Sequence, residues 1–220
     1  MSDVERFSDA SVQPPVRAYL HRPENFNGDG LVLSHGAGSN SQAPLLMALA
    51  EVFAETGLTV LRCDLPFRQV RSFGMPGRGD AARDRQGLKN AVAALRQVAP
   101  GRIFLGGHSY GARQSTMLCA EEPGLADGLL LLSYPLHPPR KPEQLRIQHL
   151  PNLHTPTLFV EGTRDPFGSV QEIEKAIALI PARTRLMLVE GAGHDLGFKG
   201  KMGGKALAQT VQKAFLEFFS

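Results

Sequence analysis

The stretch RIFLGGHSYGARQ, residues 102–114, joins an apolar run, Arg102 to Gly106, directly to Gly107-His108-Ser109-Tyr110-Gly111, with helical residues from Tyr110 onward. Strand, sharp turn and helix, in that order, is the setting in which a G-x-S-x-G serine is presented as a nucleophile. The five-residue pattern alone is weak in a chain with 23 glycines, and its placement is what raises it. The glycines have a steric reason. Serine in such a turn takes a strained backbone, and side chains at 107 and 111 would collide with the neighbouring strand or helix. The start of the helix beneath Ser109 also favours negative charge nearby. The competing reading is a glycine-rich turn with Ser109 as an ordinary helix N-cap.

Outward from this stretch, short apolar runs alternate with segments of helical period, the mark of a mainly parallel α/β sheet. Strands are expected at Gly30–Ser34, Thr59–Cys63, Arg102–Gly106, Gly128–Ser133, Thr157–Glu161 and Arg185–Glu190, with a weaker one at Val16–His21. Helices are expected at Pro44–Ala54, capped by Gly57, at Ala81–Val98, at Tyr110–Glu122 and at Ala206–Phe219. Residues 64–80 and 135–155 read as long connections rich in proline or glycine, and such loops in compact domains are often functional.

A serine hydroxyl needs a base, and the base needs an orienting carboxylate. Behind a nucleophile on a strand-to-helix turn, the required chain order is Ser, then Asp or Glu, then His, on loops at the carboxyl ends of later strands. Asp165, in GTRDP just past Thr157–Glu161, and His194, in GAGH just past Arg185–Glu190, meet that order. Asp165 lies 56 residues after Ser109 and His194 a further 29, each room for about one β-α unit. In isolation Asp165 would be a turn residue before Pro166 and His194 an exposed loop histidine; their joint order argues against coincidence. Negative charge on the attacked carbonyl also needs donors. The amides of Tyr110 and of Ala37, in His35-Gly36-Ala37-Gly38-Ser39, are the candidates. His35 and His108 are expected to shape their loops and not to act as the base.

With HGAG at 35–38, GGHSYGAR at 106–113, GTRDPFG at 162–168 and GAGH at 191–194, the chain resembles the α/β-hydrolases of the dienelactone-hydrolase-like branch along nearly its whole length. Within that branch, SYPLHPPRKPEQLR at 133–146 resembles a small single-domain group whose relatives include a subunit of a histone-acetyltransferase-associated complex and a testis-expressed protein. The resemblance implies an α/β-hydrolase fold, a mostly parallel sheet flanked by helices on both faces, and a Ser109, Asp165, His194 triad. Dienelactone hydrolase itself uses cysteine where Ser109 stands, which argues against that substrate. Residues 135–156, with six prolines, are too few and too proline-rich for the helical lid many such enzymes carry. A minimal, lidless core with an open or loop-covered cleft follows.

Composition bounds the rest. A 23.8 kDa chain should expose roughly 9,900 Å² when folded, which favours one domain over residues 1–220. Two cysteines, Cys63 and Cys119, make no disulfide framework and no zinc spacing, and fit a reducing cytoplasm. The polar, acidic start MSDVERFSDA does not read as a secretory signal, and the longest apolar run is far shorter than a membrane span. A net charge of +3 is too small to imply nucleic acid, despite a pI of 9.0. Neither a G-x-G-x-x-G nor a P-loop occurs, and no HExxH or ligand cluster suggests a metal, so no cofactor is expected. Arg68, Arg71 and Arg78 are candidates for an anionic-substrate patch, against the ordinary reading of solvated loop arginines. Lys199, Lys201 and Lys205 read as a solvated approach to the last helix. The expected activity is a serine carboxylesterase on a small acyl substrate; the rival is an idle hydrolase fold serving as an interaction module.

Overall fold

The computed structural model describes residues 3–198 and 204–220. Among these residues eight strands and six helices follow one another: β1 (Asp3–Asp9), β2 (Val16–Arg22), β3 (Gly30–Ser34), α1 (Pro44–Glu55), β4 (Thr59–Cys63), α2 (Pro66–Val70), α3 (Asp80–Arg96), β5 (Ile103–His108), α4 (Tyr110–Glu121), β6 (Gly128–Leu132), β7 (Thr157–Gly162), α5 (Val170–Ile177), β8 (Thr184–Val189) and α6 (Gly204–Phe219). The strands form one sheet in the order β1-β2-β4-β3-β5-β6-β7-β8. The first two pairings are antiparallel and the remaining five parallel.

Strands β3 to β7 read as continuous apolar runs because both faces of the sheet are covered. In β6, Leu129 and Leu131 enter the layer under α3, α4 and α5, while Leu130 and Leu132 enter the layer under α1 and α6. Phe215 of α6 sits at the centre of the second layer, with ring centroids 4.9 Å from Phe53, 4.8 Å from Phe104 and 4.6 Å from Phe219. The surface area of 10114 Å² is close to that expected from the mass.

Several elements differ from the sequence reading. Strand β5 runs two residues further than the apolar run, and Gly107 and His108 pair with Leu131 and Leu132. The connection 64–80 contains α2, too short to show a period. Strand β1 adds an exposed antiparallel edge whose residues are polar or half-exposed, so no apolar alternation marks it. Helix α5 is held by a capping box in which Ser169 and Glu172 satisfy each other's backbone amides, a signal that was present in the sequence. No helical lid stands between β6 and β7; residues 135–156 hold a single 3-10 turn, Leu150–Asn152. Lys199 and Lys201 lie outside the described residues, and Lys205 is exposed, 4.0 Å from the Glu55 carboxylate. Among the described residues no helix is long and apolar enough to cross a membrane.

The sheet order reverses at β3, which has β4 on one side and β5 on the other. In open parallel sheets the crevice at the carboxyl ends beside such a reversal is where ligands bind. Truncating Phe215 to Ala, which empties the centre of the aromatic layer, should lower unfolding free energy by about 3–5 kcal/mol in urea titrations.

Candidate active site

Ser109 directly follows β5 with φ 53° and ψ −112°, a left-handed backbone that a non-glycine residue rarely holds. Its amide donates to Leu132 O at 2.8 Å, and its carbonyl accepts from Arg113 N at 3.0 Å. The close approach that permits this turn is visible at the two flanking glycines. A Cβ on Gly107 would fall 2.3 Å from Ser34 O, and one on Gly111 would fall 2.4 Å from Ser34 Oγ.

Three loops converge here. Ser109 Oγ is 2.8 Å from His194 Nε2, and His194 Nδ1 is 2.7 Å from Asp165 Oδ2. With Asp165 accepting at Nδ1–H, Nε2 is left to accept the serine proton. Asp165 is also a turn residue, since its Oδ1 accepts the Phe167 amide at 2.8 Å. Phe167 stacks on the His194 ring at 4.1 Å between centroids and 27° between planes. The His194 carbonyl accepts from His108 Nε2 at 2.8 Å. Burial holds the His108 imidazole below its ordinary pKa, so it stays a neutral donor.

The loop after β3 is pinned from beneath. The Gly36 carbonyl accepts from His35 Nδ1 at 2.8 Å and from Ser39 N at 3.0 Å. His35 Nε2 in turn accepts the Leu65 amide at 3.1 Å, which fixes the ring's tautomer. Because C=O and N–H of a trans peptide point in opposite directions, the Ala37 amide faces away from those two donors. Ala37 lines the same cavity as Ser109 and Tyr110, about 540 Å³ in volume, with Met75, Pro76, Pro135 and Phe167 among its other walls. The Tyr110 amide, at the first position of α4, has no acceptor within the helix. A second cavity of about 420 Å³ is lined by Leu45, Leu46 and Phe198 and shares Gly36, Ser39 and His108 with the first; Ser109 and His194 do not line it.

Buried polar groups outside the sequence reading hold these loops. Asp84 of α3 accepts the Phe67 amide at 2.9 Å and the Tyr110 hydroxyl at 2.8 Å, and so ties α2 to the start of α4. Glu161, at the end of β7, accepts the Tyr134 amide at 2.7 Å. No pattern around either acid marks it, because their partners lie far away along the chain. Its place in the Asp165 turn put Phe167 near the site in the sequence; its stacking on His194, 27 residues away, did not show there.

The arginine patch is not what the structure contains. Arg68 is nearly buried, and its guanidinium donates to Ser39 O at 2.7 Å, Ala37 O at 2.8 Å, Gly74 O at 2.9 Å and Arg71 O at 3.1 Å. Arg71 pairs with Asp80. Four donors of Arg68 are spent on carbonyls and the charge of Arg71 on a carboxylate; Arg78 is exposed. The arginines that line the cavity are Arg113 and Arg146.

A family model described as Alpha/beta hydrolase domain matches residues 28–219. Dienelactone hydrolase from Anabaena variabilis is similar in structure over 99% of this chain and 98% of its own, with 22% identity and a TM-score of 0.78. A serine hydrolase without lid from Xanthomonas campestris is similar over 98% of this chain and 94% of its own, with 15% identity and a TM-score of 0.72. In sequence, 45 residues, or 20% of this chain, are 49% identical to the polyketide synthase ThaQ of Burkholderia thailandensis; the match spans 2% of that protein.

Two measurements check the supports. Arg68→Met leaves four carbonyls without their charged donor, so urea titration should show a loss of about 2 kcal/mol, and amide exchange should quicken at 37–39 and 72–74. Burial raises the Glu161 carboxyl well above its ordinary 4.5, so the folded chain keeps a proton that the unfolded chain releases. That stabilisation is complete below the unfolded value and is lost as pH rises through the folded one. Glu161→Gln keeps an acceptor for Tyr134 and removes the titration. Its stability relative to the native chain should rise as pH increases above the ordinary glutamate range.

Proposed function

The chain belongs to the alpha/beta hydrolase domain family, and we propose that it is a serine hydrolase cleaving small carboxylic esters or thioesters through an acyl-enzyme. The observation that carries this reading is the chain of contacts from Ser109 Oγ to His194 Nε2 at 2.8 Å and from His194 Nδ1 to Asp165 at 2.7 Å, at the carboxyl end of one sheet.

In the proposed reaction, His194 Nε2 takes the Ser109 proton as Oγ bonds to the substrate carbonyl carbon. The carbonyl electron pair moves onto oxygen, where the Ala37 and Tyr110 amides meet it. The imidazolium, stabilised by its bond to Asp165 and stacked on Phe167, returns the proton to the leaving alcohol or thiol as the tetrahedral carbon collapses. Water then repeats the sequence on the acyl-enzyme, giving up its proton to His194, and the carboxylic acid leaves with Ser109 restored. None of these steps calls on a cofactor.

Met75 and Pro76 cover part of a cavity of about 540 Å³, which suits a short acyl group better than a long lipid chain. Pro135 and Arg146, from the segment that resembles the small single-domain group, form another wall. Cys63 and Cys119 are free and buried, and burial pushes both thiols up to about 12, which fits the proposed cytoplasmic setting. The idle-module reading gives no reason for a strained Ser109 aligned on a doubly held imidazole.

A fluorophosphonate probe should label the native protein at Ser109 and leave Ser109→Ala unlabelled. Asp165→Asn should lower kcat on short p-nitrophenyl esters by about 10⁴-fold, the scale expected when the imidazole loses its orienting acceptor. A folded native chain that neither takes the label nor turns over any short ester would overturn the enzyme reading.

A further inference from the structure

The cavity beside Ser109 carries more positive charge than the proposed chemistry uses. Arg113 lies one turn into α4, its amide on the Ser109 carbonyl. Long helical side chains lean back toward the N-terminus, here toward the serine, and Arg113 lines the cavity. Arg146 reaches the same wall from the proline-rich connection after β6. Its Nη1 donates to Pro135 O at 3.0 Å, and its carbonyl accepts the Tyr134 hydroxyl at 2.8 Å, which holds the segment in place.

Nothing described answers these charges. The cavity lining includes no aspartate or glutamate. Among the described residues neither Arg113 nor Arg146 has an ion-pair partner, whereas Arg22, Arg71, Arg85, Arg102 and Arg185 all do. The Arg113 Nε is buried and has no hydrogen-bond partner. Burial lowers the Arg146 pKa, and the Arg113 charge lowers it further; Arg113 and Arg85 also help burial to bring His149 down to about 4. A buried N–H on a charged group is costly to leave unpaired, and two half-buried like charges repel. An anion bound at the cavity wall offsets that repulsion. The planar guanidinium fork fits a carboxylate.

We propose that Arg113 and Arg146 form an anion subsite in the cavity beside Ser109, and that the substrate is an ester or thioester carrying a second, carboxylate group. This rests on the hydrolase reading and narrows its substrate class. The second carboxylate can lie on the acyl chain or on the leaving group, and the two placements call for separate substrates.

The test compares matched pairs at low salt. Phenyl glutarate monoester against phenyl pentanoate places the charge on the acyl side; 4-carboxyphenyl butanoate against 4-acetylphenyl butanoate places it on the leaving group. In at least one pair the native chain should favour the anionic member in kcat/KM by about tenfold or more, as expected for hydrogen bonds to a charged partner. Raising ionic strength to about 1 M should shrink that ratio. Arg113→Gln and Arg146→Gln should each bring the ratio toward one, and Arg113→Lys should restore part of it. Ratios near one in both native pairs, or a preference that survives both Gln variants, would overturn the subsite and leave the hydrolase reading standing. If no ester turns over and Ser109 takes no label, the hydrolase reading fails, and calorimetry with glutarate decides the subsite alone. Binding to the native chain that is lost in Arg113→Gln supports it, and no binding overturns it.

Discussion

Ser109 holds a backbone that costs an ordinary residue about 1–3 kcal/mol, and the middle of the molecule is arranged so that no relaxed alternative is open to it. Strand β5 pairs to its last residue, His108, with Leu132 of β6, the Ser109 amide is bonded to that same Leu132, and α4 starts at the next residue. Ser34 of β3 fills the space that a side chain at 107 or 111 would need, and its hydroxyl donates to Gly106 O at 2.9 Å. The strain is thus held by sheet pairing on one side and close packing on the other. Those are the two least yielding kinds of contact in a protein interior.

Once that turn is set, the parallel sheet brings the other groups to it. Every parallel strand from β3 to β8 ends on the same side, so the loops carrying Ala37, Ser109, Asp165 and His194 leave at one rim. Buried polar contacts then limit how far each loop can wander. Gly36 O is pinned by two donors, Asp84 joins Phe67 to Tyr110, Glu161 joins β7 to the exit of β6, and Phe167 lies flat on the imidazole. Arg68 adds a cross-link that runs from the Ala37 and Ser39 carbonyls to Gly74. The segment that supplies Met75 and Pro76 to the cavity wall is thereby anchored to the loop that supplies Ala37.

Arginine has opposite meanings at two places in this architecture. Arg68 has four of its five N–H donors on carbonyls and acts as a structural clamp. Arg113 and Arg146 stand at the cavity wall without counter-charge. Sequence spacing ranks them the other way round, since Arg68, Arg71 and Arg78 cluster in one loop while Arg113 and Arg146 are 33 residues apart. What separates the two cases is the partner each guanidinium meets, a matter of tertiary contact. The same holds for Asp84 and Glu161, whose acceptors are filled by amides 17 and 27 residues away.

The amino-acid sequence by itself determined the central sheet, because strands covered on both faces must be apolar throughout, and the turn at Ser109, because only glycine fits at 107 and 111. It also determined the order of Ser109, Asp165 and His194, which a parallel sheet translates directly into loops at one rim. It was silent on β1, an exposed edge with no apolar face to show, and on α2, too short for a period. It left the loop arginines between an anionic patch and ordinary solvated side chains, and did not single out Arg113 or Arg146. The tertiary structure alone decided that Asp165 and His194 meet at 2.7 Å, that the Phe167 ring stacks on the imidazole, and that Met75 and Pro76 form a wall of the cavity. Apolar patterning is a local property written along each element, whereas the partner of a polar or charged group is set by which distant segments the packed sheet and helices bring within hydrogen-bond reach.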